Sequence, residues 1–493
     1  MRAGILIAYF AKQDAARKAL KELQQRGFRR VALVSKTADR HIQSRDPFLR
    51  HQVFGVTTAF ILCGVITEAA AMILQWPVPI PVGSLAVLLP GLGGGFAGIL
   101  LSVVWIRRSR FGVEHRLLED HTRWLVSEET VLILRAPIKA LRSPMALLQE
   151  SDEIPPAIFF LHPKRKKLYR EAESRESPLS GTQIQAYAER LAGDHQMDPN
   201  PRRNIKLLKR LEQAGQWIHR VCLDLSEASR LGQSTPPTAE WLLDNEYIIE
   251  SNVREVQLNL PRHYYQELPT LANGPYRGLP RIYGLAKELV SHADLRLDKE
   301  NILAFIKAYQ SVSALSIGEL WAVPQMLRMT VIESILHLTE RALTELRERE
   351  IADFWANRLI TAIRRDPNQL FSILAILAEL AESQPGPSPY FGLQLIDNLY
   401  DHESALVPVR SWLEGAFRKS LGEINLREQN RQTKDLISIG NAFTSLRHLS
   451  LLDWRQLFEE LSHVERLLRQ DPSGIYPKMD FAFKAPRTPC AVA

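Results

Sequence analysis

The sequence predicts a mainly α protein: an all-α helical bundle or array, preceded by a small ferredoxin-like α/β domain that a two-helix transmembrane hairpin interrupts. Three observations predict it. From about Arg203 to residue 470 one helical pattern follows another, with almost no strand pattern. Strand–helix–strand patterns stand on both sides of residues 51–110. Within 51–110 lie two apolar stretches, each longer than the ~20 residues that cross a bilayer core.

The first piece of the α/β domain is residues 1–50. Gly4-Ile5-Leu6-Ile7-Ala8-Tyr9-Phe10 reads as a buried strand and 12–25 as an amphipathic helix with Ala16, Leu20 and Leu23 on one face. Gly27 stops that helix, and Val31-Ala32-Leu33-Val34 is a second strand. The second piece is 111–165. It holds a helix at 115–125, a strand at 130–134, a short helix at 138–149 and a strand at 157–161. Two βαβ units of this kind suggest the ferredoxin-like arrangement. Such folds host many functions, so no activity follows from this domain.

The hairpin runs from Val53 to Trp76 and from Val82 to Ile106, with Glu68 the one carboxylate inside it. The prolines Pro77, Pro79 and Pro81 break the helix between the spans. Lys36, Arg40, Arg45 and Arg50 precede the first span, and Arg107, Arg108, Arg110 and Arg116 follow the second. The positive-inside rule then puts both termini in the cytoplasm and makes the lipid bilayer a partner. Gly91, Gly94, Gly95 and Gly98 form a small-residue stripe that lets two helices approach. No Lys-Ser or Lys-Thr follows them, which excludes a phosphate loop. Glu68 reads as a solvated or protonated acid, with a proton relay as the sharper alternative.

A charged linker spans 166–202, and the basic run Lys164-Arg165-Lys166-Lys167 where it begins suits either anionic lipid headgroups or a solvated loop. The helical domain spans 203–482. On 204–230, Leu208, Leu211, Ile218, Cys222 and Leu225 recur at three- and four-residue steps, a coiled-coil-like seam. Pro236-Pro237 opens the next helix, whose Leu242, Ile249, Val253, Val256 and Leu260 line one face, and Pro261 ends it. Further helices are read at about 281–293, after the N-cap Asp298, and at 316–348, 351–364, 367–383, 390–402, 407–420, 433–447 and 452–470. The tail 483–493 is irregular. No fixed period recurs, so this is not a formal repeat.

Composition narrows the function classes. The 493 residues carry 62 basic and 55 acidic side chains, a formal charge of +7, too small an excess for a nucleic-acid partner to be inferred. The three cysteines, Cys63, Cys222 and Cys490, lack metal-ligand spacing and read as reduced thiols. There is no Asp-x-Asp, HExxH or GxSxG and no histidine cluster, so the sequence assigns no catalytic residue, no metal ligand and no cofactor. Glu319, His292, Asp294 and His337 fall inside helical patterns and read as surface or hydrogen-bonded structural groups. Trp241, Tyr247, Tyr264, Tyr265, Tyr283 and Trp321 are spaced as core or interface anchors, with a sugar-stacking face as the alternative.

Five stretches carry a resemblance. They are Glu240-Trp241-Leu242-Leu243-Asp244-Asn245; Leu260-Pro261-Arg262-His263-Tyr264-Tyr265 with Leu268-Pro269; the run from Pro280 through Arg281, Tyr283 and Glu288 to His292; the run from Ser316 through Glu319, Trp321 and Pro324 to Arg328; and Tyr476-Pro477-Lys478-Met479-Asp480-Phe481-Ala482. In order and spacing they resemble the cytoplasmic region before the glycosyltransferase module of cyclic β-1,2-glucan synthases. That family implies a bacterial inner-membrane enzyme that builds glucan from UDP-glucose, with glycoamylase-like and phosphorylase-type modules downstream. The catalytic motifs of those modules are absent, so Trp241, Asp244, Asn245, Tyr264, Tyr265, Arg281, Tyr283, His292, Glu319, Trp321 and Arg328 are expected as structural or interface positions. The last residues, Lys484 to Ala493, carry two prolines and no helical face, the ending that a truncated or frame-shifted reading frame or a split gene would give. The expected role is a non-catalytic membrane anchor and scaffold, partnered by separate catalytic modules. The alternative is a membrane-tethered regulator that binds a partner through its helices, and a third reading is an enzyme with an unrecognised site.

Overall fold

The computed structural model describes residues 3–10, 13–28, 31–36, 42–45, 130–137, 140–151, 157–159, 179–200, 205–230, 235–365 and 370–470. They fall into two compact units. One comprises Met1–His162 and Arg347–Asn425, the other Pro163–Leu346 and Leu426–Ala493.

The first unit is built on a five-stranded antiparallel sheet. Its strands are β1 (Ala3–Phe10), β2 (Val31–Lys36), β3 (Ile42–Arg45), β4 (Thr130–Pro137) and β5 (Ala157–Phe159), in the order β3-β2-β4-β1-β5. Helix α1 (Gln13–Gln25) joins β1 to β2 and helix α2 (Arg142–Ser151) joins β4 to β5. The register pairs Leu6 with Leu134 on β4, and β4 carries Leu134 across to Val31 on β2. Leu6 through Phe10 are all buried, as a strand covered on both faces requires. Ala16, Ala19 and Leu23 of α1 are buried at helical spacing. Gly27, at φ +90°, turns the chain out of α1, and the Phe28 N–H donates back to the Leu23 carbonyl.

Ile7, Tyr9, Val34, Val131 and Ile133 of the sheet belong to one apolar core with Phe354, Trp355 and Leu359. The Tyr9 and Phe354 rings lie 4.6 Å apart. The same core takes Ile373, Leu377 and Leu380 of α10 (Leu370–Ser383), Phe391 and Leu395 of α11 (Pro389–Asn398), and Ala405, Val409 and Leu413 of α12 (Glu403–Phe417).

The second unit is helical. It holds α3 (Gly181–Asp194), α4 (Lys206–Arg230), α5 (Pro237–Asn259), α6 (Arg262–Glu267), α7 (Arg281–His292) and α8 (Lys299–Val312). The long helix α9 (Ile317–Arg365) contributes its first part, α13 (Leu421–Leu451) most of its length, and α14 (Trp454–Leu461) and α15 (His463–Leu468) follow. The buried seam of α4 is Leu207, Leu211, Ala214, Ile218, Val221, Cys222 and Leu225. Leu207 takes the buried place expected for Leu208, since a turn of 3.6 residues shifts the face by one position at the first turn.

Several elements differ from expectation. The two helices read at 316–348 and 351–364 are one helix, α9, because neither glycine nor proline breaks Glu348-Arg349-Glu350. Strand β3 was not expected: Ile-Gln-Ser-Arg has no apolar alternation, and it forms by pairing with β2. Asp294 was expected inside a helix, but it and Leu295 adopt left-handed φ of 47° and 63° just beyond α7.

The residues expected to form the transmembrane hairpin, 51–110, and the helix at 115–125 lie outside the described residues. Among the described residues no helix is long and apolar enough to cross a membrane. This corrects the expectation of two spans and of an inner-membrane location with cytoplasmic termini. The physical reason is plain in the longest helix, where α9 carries Glu319, Arg328, Glu333 and Glu345, buried in protein on several of its faces. Such a helix needs partner side chains rather than lipid.

Candidate functional site

The second unit is crossed by buried ion pairs and hydrogen bonds, and most of the expected positions meet there. Arg281 opens α7 and Glu319 lies in the first turn of α9; both are almost fully buried. The guanidinium Nε donates to Glu319 Oε1 at 2.7 Å, and Nη2 donates to Oε2. The remaining guanidinium donors reach Ser313 Oγ and the Ala314 carbonyl, each at 3.1 Å. The Ser316 backbone N–H (2.9 Å) and hydroxyl (3.0 Å) donate to Glu319 Oε2. Burial works to lower the Arg281 pKa, but the Glu319 carboxylate outweighs it and holds the guanidinium above its ordinary value. This is a closed, bidentate pair that also ties the 313–316 turn to two helices.

Other expected positions make similar cross-links. Tyr264 of α6 donates to the Gly318 carbonyl at 2.5 Å. Tyr283 of α7 donates to Glu333 Oε2 at 2.8 Å, and Glu333 sits 3.7 Å from both Arg210 and Lys287. Arg328 of α9 donates to Asn252 Oδ1 (3.0 Å) and to the Leu449 carbonyl (3.1 Å), which ties α5, α9 and α13 together. Its pKa is lowered by burial, with Glu255 the nearest opposing influence. Asn245 of α5 accepts from Arg447 at 2.6 Å. Trp321 stacks on Phe458 of α14 with centroids 4.5 Å apart. Tyr265 is buried, and burial raises its hydroxyl pKa.

His292 is buried at the end of α7, its ring edge-on to Tyr187 at 4.2 Å and its Nε2 3.7 Å from Glu288. Glu288 accepts from Tyr187 (2.6 Å) and Tyr276 (2.8 Å). His337 is partly buried, 3.6 Å from Glu340. Trp241 and Asp244 stand apart from this network. Trp241 is partly exposed and Asp244 is exposed, one turn apart on α5.

Sequence reasoning did not single out Tyr187, His195, Tyr309 or Glu333. His195, at the end of α3, meets the buried Tyr309 hydroxyl at 2.9 Å. Burial lowers its pKa, and the Arg281 charge lowers it further. Glu333 had a signal: one carboxylate inside the apolar run Val331-Ile332-Glu333-Ser334-Ile335-Leu336 calls for buried partners. The left-handed turn at Asp294–Leu295 is held from α13. Ser438 donates to Asp294 Oδ1, Asn441 to the Asp294 carbonyl and Ser445 to the Leu295 carbonyl, three side chains on one helical stripe.

These groups pair with one another across the helices. Glu319 accepts from Arg281 and the Ser316 N–H, Glu333 from Tyr283, and Glu288 from Tyr187 and Tyr276. Among the described residues no group of three or more His, Cys, Asp or Glu side chains could hold a metal ion. Burial, with Glu246 nearby, pushes the Cys222 thiol up to about 12, so it stays protonated.

No protein-family model matches the sequence. Over 254 residues, 51% of this chain, it is 32% identical to the cyclic beta-(1,2)-glucan synthase NdvB of Rhizobium meliloti (strain 1021). The chain is related to that synthase. The match covers 9% of the synthase's length, so this chain corresponds to a small part of it.

Proposed function

We propose that this chain is a non-catalytic scaffold of a cyclic β-1,2-glucan synthase, whose helical unit supports a separate part that carries the transferase chemistry. One observation carries the reading. Polar residues of the stretches that carry the resemblance are engaged within the fold, as Arg281 with Glu319, Tyr264 with Gly318, and Arg328 with Asn252 and Leu449. A site that turns over a nucleotide sugar needs polar groups left open to substrate, whereas these groups fix helix to helix. The 32% identity to the synthase supplies the reaction that the scaffold would serve.

The test is direct. The purified chain is incubated with UDP-glucose and UDP release is followed. Background release alone is expected, and sustained turnover that scales with protein concentration would overturn the reading.

A further inference from the structure

Helix α3 and the residues after it are held on the helical unit by few apolar groups and many polar ones. Ile184, Ala188 and Ala192 of α3 are buried, so Ile184 is the one fully buried side chain there larger than alanine. Hydrogen bonds to α7, to α8 and to the loop between α6 and α7 supply much of the attachment. The Leu179 N–H donates to the His292 carbonyl at 3.1 Å, and the Tyr187 hydroxyl donates to Glu288. Asn273 donates to the Asp194 carbonyl at 2.7 Å and accepts from the Gln196 N–H at 3.1 Å. The Ala272 N–H donates to the Gln196 carbonyl and the Asp198 N–H to the Thr270 carbonyl, each at 2.8 Å. Segments with few buried apolar contacts open more readily than the core.

His195 closes the end of α3, where its Nδ1 meets the Tyr309 hydroxyl of α8 at 2.9 Å. Tyr309 is fully buried, and His195 is half-buried. The Arg281 guanidinium, which only donates, faces the same hydroxyl. The Ser313 hydroxyl nearby already accepts from Arg281. The Tyr309 hydrogen is therefore assigned to His195, whose Nδ1 is the bare, accepting nitrogen of the ring. A proton on Nδ1 would set two donors against each other beside a guanidinium. The other charges that face His195 are the carboxylates of Asp194, its chain neighbour, and of Glu288 on α7. Both favour the proton, but burial and Arg281 oppose it more strongly. Arg281 is paired in turn with Glu319 of α9.

We propose that His195 and Tyr309 form a proton-released latch: a proton on His195 frees α3 and residues 195–200 from α7 and α8 as one piece, while α9 and the helices around it stay folded. The sign follows from the two states. Closed, His195 is held below its ordinary 6.5; open, in water, it returns to that value, so the open form binds the proton more tightly and gains as pH falls. On opening, the polar bonds of the segment exchange for bonds to water and little apolar surface is lost, so this segment yields before the core does.

Hydrogen–deuterium exchange on the full chain, between about pH 7.5 and about pH 5, tests the latch, with rates corrected for the intrinsic pH dependence of amide exchange. Protection of the α3 amides should fall by about five- to thirtyfold across this range; the upper figure belongs to a histidine of ordinary pKa in the open form that stays neutral when closed. The amides of Val331–Leu336 in α9 are the internal reference and should change by less than about twofold. In His195→Asn, which takes no proton in this range, α3 protection should be independent of pH. In Tyr309→Phe it should be lowered already at the higher pH. Parent protection that does not change with pH, a parallel loss in α3 and α9, a pH dependence that survives in His195→Asn, or a Tyr309→Phe protein as protected as the parent would overturn the proposal.

Discussion

Removing the Glu319 carboxylate tests the energetic core of the helical unit. In Glu319→Ala the Arg281 guanidinium keeps Ser313 Oγ and the Ala314 carbonyl but loses its only described counter-charge while remaining about 93% buried. A buried charge stripped of its partner costs about 3–5 kcal/mol. The lost bonds from Ser316 to Glu319 fall within that range. For a domain of this size about 1 kcal/mol moves the melting temperature by roughly 2–4 °C, so a fall of about 6–20 °C is expected. Arg281→Met alone should cost a similar amount, because it leaves the carboxylate buried. The double variant Arg281→Met/Glu319→Leu removes both charges and should recover roughly 2 kcal/mol or more relative to the sum of the single changes. Urea unfolding of the four proteins, analysed as a double-mutant cycle, gives the coupling. Single variants that each cost less than about 1 kcal/mol, or costs that simply add, would refute a coupled buried pair.

Three further outcomes follow from the geometry. Burial and the Arg281 charge hold His195 below its ordinary 6.5, so the unfolded chain binds more protons and stability rises with pH. The contribution is therefore present above about pH 6.5 and lost as pH falls through the lowered value; His195→Asn should flatten the urea midpoint between about pH 7 and 5, and an unchanged slope would contradict this. The Asp298 carboxylate caps α8 by accepting from the Asn301 N–H at 2.8 Å, so Asp298→Ala should cost about 1 kcal/mol in the same assay, and Asp298→Ser much less. A Cβ at Gly284 would stand 3.0 Å from the Tyr276 ring, which its hydroxyl holds on Glu288, so Gly284→Val should destabilise the fold by about 1–3 kcal/mol.

The sequence carried the helices well and their polar pairing poorly. Periodicity located α4, α5, α7 and α8 because burial follows a 3.6-residue step, and proline before α5 and α7 and the Asp298 cap of α8 mark their starts. The βαβ patterns were legible because β1, β2, β4 and β5 each carry a run of apolar residues. What stayed hidden depends on distance along the chain. Arg281 and Glu319 are 38 positions apart, and the Asp294 turn is held by side chains more than 140 positions later. Neither leaves a local pattern. Strand β3 is polar, and its pairing with β2 rather than its composition makes it a strand. Among the site positions, Arg281, Glu319 and Tyr283 were found by resemblance. Glu333 could have been found from its apolar neighbours, and Tyr309 could not, since a tyrosine in an apolar helix face reads as packing until its partner His195 is placed.

We propose that this chain supports glucan synthesis without performing it. Glucan formation by the hybrid R. meliloti synthase, with its matched segment replaced by the counterpart from this chain, measures that most directly. β-1,2-glucan made from UDP-glucose is expected at a rate within about tenfold of the parent synthase, with a further fall when Glu319→Ala loosens the helical unit. A folded hybrid that makes no glucan, or one indifferent to the loss of Glu319, would contradict it.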